Sequence, residues 1–169
     1  HPRVDILQPG PGVGGHCIAV DPWFIVNSAP SEAKLIRLAR ETNDAKPIYL
    51  IDQILQISEN TDHPIIGFFG LTYKPNVDDF RESPSLEIVK AVTRKLTKVE
   101  ILVVEPFAKD LTMHLNGASN AKLVELEEAL DKANILVMLV DHEMFQDVPV
   151  ERLSGKQIVD ARGCWVGKK

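Results

Sequence analysis

The run Ile65-Ile66-Gly67-Phe68-Phe69-Gly70-Leu71-Thr72-Tyr73-Lys74-Pro75 decides the fold. Residues 65–69 carry no polar side chain, so an extended segment there has to be covered on both faces. Gly70 punctuates the run, and residues 71–79 read as a loop. Ser83-Pro84 then supplies an N-cap residue followed by proline at the first helical position. Leu86, Ile88, Val89, Val92 and Leu96 follow at helical spacing. Further out, the pattern predicts a second strand over 99–104, a short helix over 123–133, a third buried strand over 135–140 and a fourth over 157–161. Strands apolar on both faces, alternating with helices, build a parallel sheet covered on both sides. Residues 62–169 are therefore expected to form a small α/β domain with a Rossmann-like, doubly wound parallel sheet.

Upstream the chain is different. Residues 1–30 are dense in glycine and proline and read as loop, with short strands at most. Ser31 is placed to cap a helix carrying Leu35, Ile36, Leu38 and Ala39. Pro47 either opens a second helix or kinks a longer one, with Leu50, Ile51, Ile54, Leu55 and Ile57 on its apolar side. Residues 1–61 are too few and too loop-rich to bury these faces alone, so the stretches 35–38 and 51–57 are expected to meet a partner.

Composition narrows the classes. The chain has 169 residues, 44% hydrophobic and 25% charged, which excludes disordered, collagen-like and coiled-coil chains. Nineteen basic residues against 24 acidic give a net charge of −5. That balance argues against a nucleic-acid or anionic-membrane surface and leaves a local basic pocket open. No apolar run is long enough to span a bilayer. The start, His1-Pro2-Arg3-Val4-Asp5, has neither Met nor a signal-peptide core, and the chain reads as a fragment. Two cysteines, Cys17 and Cys164, are too few for a disulfide scaffold, and a reduced cytoplasmic setting is the default.

Gly10-Pro11-Gly12-Val13-Gly14-Gly15 matches G-x-G-x-x-G, but a dinucleotide fingerprint also needs a strand before it and a helix opening at it. Two other readings stay open: a tight loop needing positive φ, and a small-residue loop that lets backbone approach a ligand and sets Cys17 at the end of that approach. Cys17, with His16 beside it and Asp21 four residues on, is either a buried small hydrophobe or a nucleophile. A metal site from His16, Cys17 and Asp21 has the wrong ligand number and spacing, and none is expected. Lys74 and Arg81 flank the loop after the first strand, and Arg162 follows the last; carboxyl ends of strands are where open sheets bind ligands. These cations either converge on a diphosphate or, for Arg81, pair with Asp78, Asp79 or Glu82. Cys164 reads as structural, and His63, His114 and His142 as surface or core histidines.

Residues 12–23, Gly-Val-Gly-Gly-His-Cys-Ile-Ala-Val-Asp-Pro-Trp, resemble the active-site segment of the UDP-glucose/GDP-mannose dehydrogenase family. Residues 70–84, Gly-Leu-Thr-Tyr-Lys-Pro-Asn-Val-Asp-Asp-Phe-Arg-Glu-Ser-Pro, resemble its C-terminal signature. Val20 stands where UDP-glucose members usually carry Lys, so the resemblance implies a UDP-N-acetylhexosamine substrate. It implies oxidation of the sugar C6 alcohol to a carboxylate with two NAD+, for polysaccharide biosynthesis, through a thiohemiacetal and thioester on Cys17. It further implies a water-positioning role for Asp21, substrate contacts from His1, Arg3, Gly14, Tyr73, Lys74 and Arg162, and an NAD contact from Arg81. By the same resemblance residues 1–61 end a central helical dimerisation domain, residues 62–169 are the UDP-binding domain, an N-terminal NAD-binding domain is missing, and the enzyme is a homodimer. Two rivals remain: a UDP-binding or dimerisation module that catalyses nothing by itself, and a thiol enzyme that uses no nucleotide.

Overall fold

The computed structural model describes residues 8–115 and 117–165. Three helices come first: α1 (Asp21–Ser28), α2 (Lys34–Asp44) and α3 (Lys46–Glu59). Then follow β1 (Ile65–Phe69), α4 (Pro84–Lys95), β2 (Glu100–Val104), α5 (Thr112–Leu115), β3 (Ala121–Leu123), α6 (Leu126–Lys132), β4 (Ile135–Met138), α7 (Glu143–Gln146), α8 (Val150–Leu153) and β5 (Gln157–Asp160). All strand pairs are parallel, in the order β3-β2-β1-β4-β5. The expected doubly wound α/β sheet is what forms. After β1 the chain winds to one side through β2 and β3, then crosses to β4 and β5. The loops leaving β1 and β4 therefore part company, and a crevice opens at their carboxyl ends.

β1, β2, β4 and β5 each feed two cores, as a residue period of two requires. Ile66, Phe68, Ile101, Val103, Ile135 and Val137 face α3 and α4. Phe69, Leu102, Leu136 and Met138 face α6, Phe145, Leu153 and Trp165. Phe69 meets the Phe145 ring edge-on at 5.6 Å and the Trp165 ring at 4.8 Å. Gly67 sits opposite Ala133, whose methyl carbon would lie 3.1 Å from an added Cβ, so a side chain there would need the end of α6 to give by a few tenths of an ångström.

Several expectations need correction. Residues 21–28 form a helix, not loop: Pro22 occupies its first turn, where a missing N–H costs nothing. Ser31 does not cap α2; the Ala29 carbonyl accepts from the Glu32 and Ala33 N–H groups, making a separate turn, and α2 starts after Ala33. Pro47 opens a new helix. The apolar side of residues 51–57 needs no outside partner, because α3 packs against α4: Ile54 is fully buried, and Ile51 and Ile57 join the same core. The three-residue edge strand β3 and the one-turn helices α5, α7 and α8 carry too few periodic positions to show in sequence. On α4 the expected cap holds: Ser83 Oγ accepts from Leu86 N–H and donates to the Leu71 carbonyl at 2.6 Å, tying the helix start to the end of β1.

Candidate functional site: a cationic cleft beneath a glycine loop

A cleft of about 760 Å³ opens at the carboxyl edge of the sheet. Its walls come from four places: the glycine loop with Ile18, the end of α2 with Lys46, the loop after β1 with Tyr73, Lys74 and Pro75, and Arg162 after β5. Segments that are remote in sequence thus meet at the topological crevice.

The glycine loop lies between α2 and the α/β sheet. Val13 N–H donates to Asn43 Oδ1 at 3.0 Å. The Asn43 oxygen also accepts from Arg40 Nη1 at 3.5 Å, and Arg40 Nη2 meets Asp44 Oδ1. On the sheet side, a Cβ at Gly14 would overlap the Glu82 carbonyl and press on Tyr73 and Pro84. Gly15 has φ +82°, with the Tyr73 ring beside it. At Gly10 a Cβ would come 2.5 Å from Arg162 Nη1. The glycines are therefore explained by close backbone approach to Tyr73, Glu82 and Arg162. No helix opens at the motif: α1 begins six residues after Gly15, so the dinucleotide-fingerprint geometry is absent there.

Cys17 is exposed, and no disulfide joins it to Cys164. Its carbonyl accepts from Val20 and Asp21 N–H, a turn that leads into α1. His16 Nδ1 lies 3.3 Å from Sγ, close enough to take the thiol proton. Cys17 itself is not a wall of the cleft, but Gly14 and Ile18 are. The Ile18 Cα is one residue, about 3.8 Å, from that of Cys17. Asp21 is exposed at the start of α1.

The cations sort themselves. Lys74 is exposed in the cleft wall with no ion pair among the described residues. Arg162 is largely sheltered, its Nε donating to Asp141 Oδ1 at 2.7 Å. Arg81 is not brought into the cleft. It forms a two-pronged pair with Asp79, Nε to Oδ1 at 2.9 Å and Nη2 to Oδ2 at 2.6 Å, with two-thirds of its side chain in solvent. The hydrogen bonds from Arg81 hold the Asp79 carboxyl at about 2, with the His16 charge a smaller influence. His1 and Arg3 lie outside the described residues.

Sequence reasoning missed Asn43 and Lys46, which reach the cleft from helices, and the network under the β1 loop. His142 is a buried, fully partnered residue. Its Nδ1 accepts from Asn76 N–H at 3.0 Å, while Nε2 lies 3.3 Å from Thr72 Oγ1 and 3.4 Å from Glu105 Oε2. Glu105 accepts from Leu71 N–H at 2.6 Å and from Phe107 N–H at 3.0 Å. Burial pushes the Glu105 carboxyl up, but the hydrogen bonds from His142, Leu71 and Phe107 outweigh it and hold the group below the usual range. The signal for His142 was its place just past a buried strand. Among the described residues no three His, Cys, Asp or Glu side chains gather as a metal site, and no helix is long and apolar enough to cross a membrane.

Fold and cleft define a doubly wound α/β module with a crevice lined by Lys46, Lys74 and Arg162, flanked by a thiol-bearing loop that precedes the helices. The family model for the UDP binding domain of the UDP-glucose/GDP-mannose dehydrogenase family matches residues 67–167, and that for its central domain matches residues 1–45. The chain belongs to the UDP-glucose/GDP-mannose dehydrogenase family. It is 51% identical over its whole length to an NDP-N-acetyl-D-galactosaminuronic acid dehydrogenase of Ralstonia solanacearum, covering 39% of that protein. It is 48% identical, over 98% of its length, to the UDP-N-acetyl-D-mannosamine dehydrogenase of Escherichia coli strain K12, covering 40% of that protein. Among solved structures, a UDP-D-ManNAc dehydrogenase from Pyrococcus horikoshii matches 97% of the chain and 38% of its own, with a TM-score of 0.73 and 30% identity. The chain thus spans about two fifths of the length of the curated relatives it matches.

Proposed function

We propose that this chain is the sugar-nucleotide-binding, thiol-bearing part of an NAD-dependent UDP-N-acetylhexosamine 6-dehydrogenase, with UDP-N-acetyl-D-mannosamine the first candidate substrate. Residues 1–61 supply the Cys17 loop and the end of a central helical domain; residues 62–169 bind UDP. The observation that carries this reading is the meeting of Lys74, Arg162 and the Cys17 loop at one cleft. Lys74 and Arg162 grip the diphosphate, Arg162 through guanidinium N–H groups left over from its bond to Asp141. The Tyr73 ring and the backbone at Gly14 shape the wall next to the sugar.

In this reading His16 takes the Cys17 proton, and Sγ adds to the C6 aldehyde carbon while the carbonyl oxygen is protonated. A C–S bond forms and the aldehyde is retained. Once oxidised, the resulting thioester is cleaved by water, releasing the carboxylate and restoring the thiol, with Asp21 as the residue that orients the water. NAD supplies the hydride acceptor in such chemistry. Among the described residues the glycine motif opens no helix, so it gives no dinucleotide fingerprint, and Arg81, held by Asp79 and two-thirds exposed, is the residue we assign to NAD contact. In this reading the rest of the NAD site is supplied by other parts of the enzyme, in keeping with the two fifths of its relatives' length that the chain covers, and the chain by itself binds UDP without turnover. Relatives of similar identity bear names of two different N-acetylhexosamine epimers. Profiling the complete enzyme against the manno, gluco and galacto UDP-N-acetylhexosamines decides the sugar. Calorimetry with UDP on this chain tests the nucleotide site: binding supports the reading, and NAD+ binding without UDP binding overturns it.

A further inference from the structure

Asp141 and His142 are consecutive, just past the carboxyl end of β4, the strand beside β1. Asp141 reaches one of the two cations directly, and His142 reaches the backbone on either side of the other. Asp141 accepts Arg162 Nε at 2.7 Å, with both side chains mostly sheltered from water, at 22% and 17% exposure. This bond engages Nε and leaves Nη1 beside Gly10 in the cleft wall. His142 is 1% exposed and works through the backbone. Its Nδ1 accepts from Asn76, so the ring proton sits on Nε2, facing Thr72 Oγ1 and Glu105. Thr72 in turn donates its hydroxyl hydrogen to the Lys74 carbonyl at 2.9 Å. The chain on both sides of Lys74 is thus pinned to one buried imidazole.

We propose that Asp141 and His142 are positioning residues that set the two cations of the diphosphate clamp: Asp141 aims the Arg162 guanidinium, and His142, through Thr72 and Asn76, fixes the backbone from which Lys74 projects. The proposal rests on the reading of Lys74 and Arg162 as the diphosphate grip. Its physical basis is preorganisation: long cationic side chains lose freedom on binding, and a clamp held in place beforehand has less to lose. Because β4 and β1 are hydrogen-bonded neighbours, one dipeptide fixes both cations against the same sheet edge.

The test compares UDP with uridine, which lacks the diphosphate, by calorimetry on the full-length enzyme. D141A weakens UDP binding about tenfold, the size of a charge-assisted hydrogen bond, and leaves uridine binding unchanged. D141A adds nothing in an R162A background, because both remove the same aimed group. H142L weakens UDP in the same selective way; H142N, which keeps an acceptor at the Nδ1 position, restores part of it. T72V, an isosteric change, checks the His142 arm should H142L not fold, and raises KM for the sugar nucleotide with kcat little changed. If R162A weakens UDP but D141A, H142L and T72V do not, the positioning proposal falls and the clamp stands. Additive losses in the double variant, or equal losses for uridine, also overturn it. If R162A itself leaves UDP binding intact, the clamp falls and this proposal with it.

Discussion

The contact of half-buried Gly10 with Arg162 can separate binding from stability. A Cβ on Gly10 would meet Arg162 Nη1, the far end of a flexible side chain that can swing away. Gly10→Ala is therefore expected to leave the melting temperature nearly unchanged and to weaken UDP about tenfold, measured by calorimetry, because it displaces a cation rather than packing. Gly14 is the contrast. Its Cβ would strike the Glu82 carbonyl, which is backbone and cannot yield cheaply, so Gly14→Ala is expected to lose both loop order and binding. Cys17→Ala or Cys17→Ser in the complete enzyme should lower turnover about a thousandfold or more while UDP affinity holds, since neither removes a diphosphate contact. Retained oxidation to the acid would end the nucleophile reading. At this scale Cys17, Lys74 and Arg162 were visible in the chain, each beside a glycine motif or a strand end. Arg81 was visible too, and only the structure decides which of the nearby acids it pairs with, Asp79.

Elements carry the stability. Phe69, on β1, touches the rings of Phe145 and Trp165 and is fully buried; Phe69→Ala is expected to cost about 3–5 kcal/mol in chemical denaturation. The loop after β1 is held from beneath by Glu105, at the end of β2. Its carboxyl titrates lower in the folded chain than unfolded, so it adds stability above about pH 4.5 and loses it as pH falls through the lower folded value. Glu105→Gln should accordingly flatten the acid limb of a stability–pH profile, read by urea titration between about pH 5 and 3. The runs that form β1, β2, β4 and β5 could be read directly, because strands covered on both faces are continuously apolar. β3 could not: it is an edge strand of three residues, held by pairing with β2 rather than by its own pattern.

At the scale of the molecule, one face is left over. Phe24 and Ile25 on α1 and Leu35 and Leu38 on α2 are exposed, with Leu35 at 77%. Exposed apolar side chains of this size suit an interface, and the homodimer that the family resemblance implies would place a second copy of the enzyme there. Leu35→Asp with Leu38→Asp is expected to shift the full-length protein to monomer in sedimentation, with the α/β core intact because neither side chain belongs to it. Ligand linkage gives a second whole-chain measurement: UDP at about a hundred times Kd should add about 2.7 kcal/mol, or roughly 5–10 °C in Tm. No shift with UDP would sink the nucleotide site.

The sequence by itself determined the parallel α/β sheet, the Ser83 cap, the glycine loop and the strand-end positions of Lys74 and Arg162, because each is a local matter of side-chain period, turn chemistry or distance from a strand end. It also placed Cys17 beyond the glycines. Only the tertiary structure decided that α3 belongs to the sheet's own core, that Asn43 and Lys46 line the cleft, and that Asp141 and His142 stand behind the two cations. Those contacts join residues 20 to 70 positions apart, and no local pattern encodes which strand will lie beside β1; the crossover to β4 does.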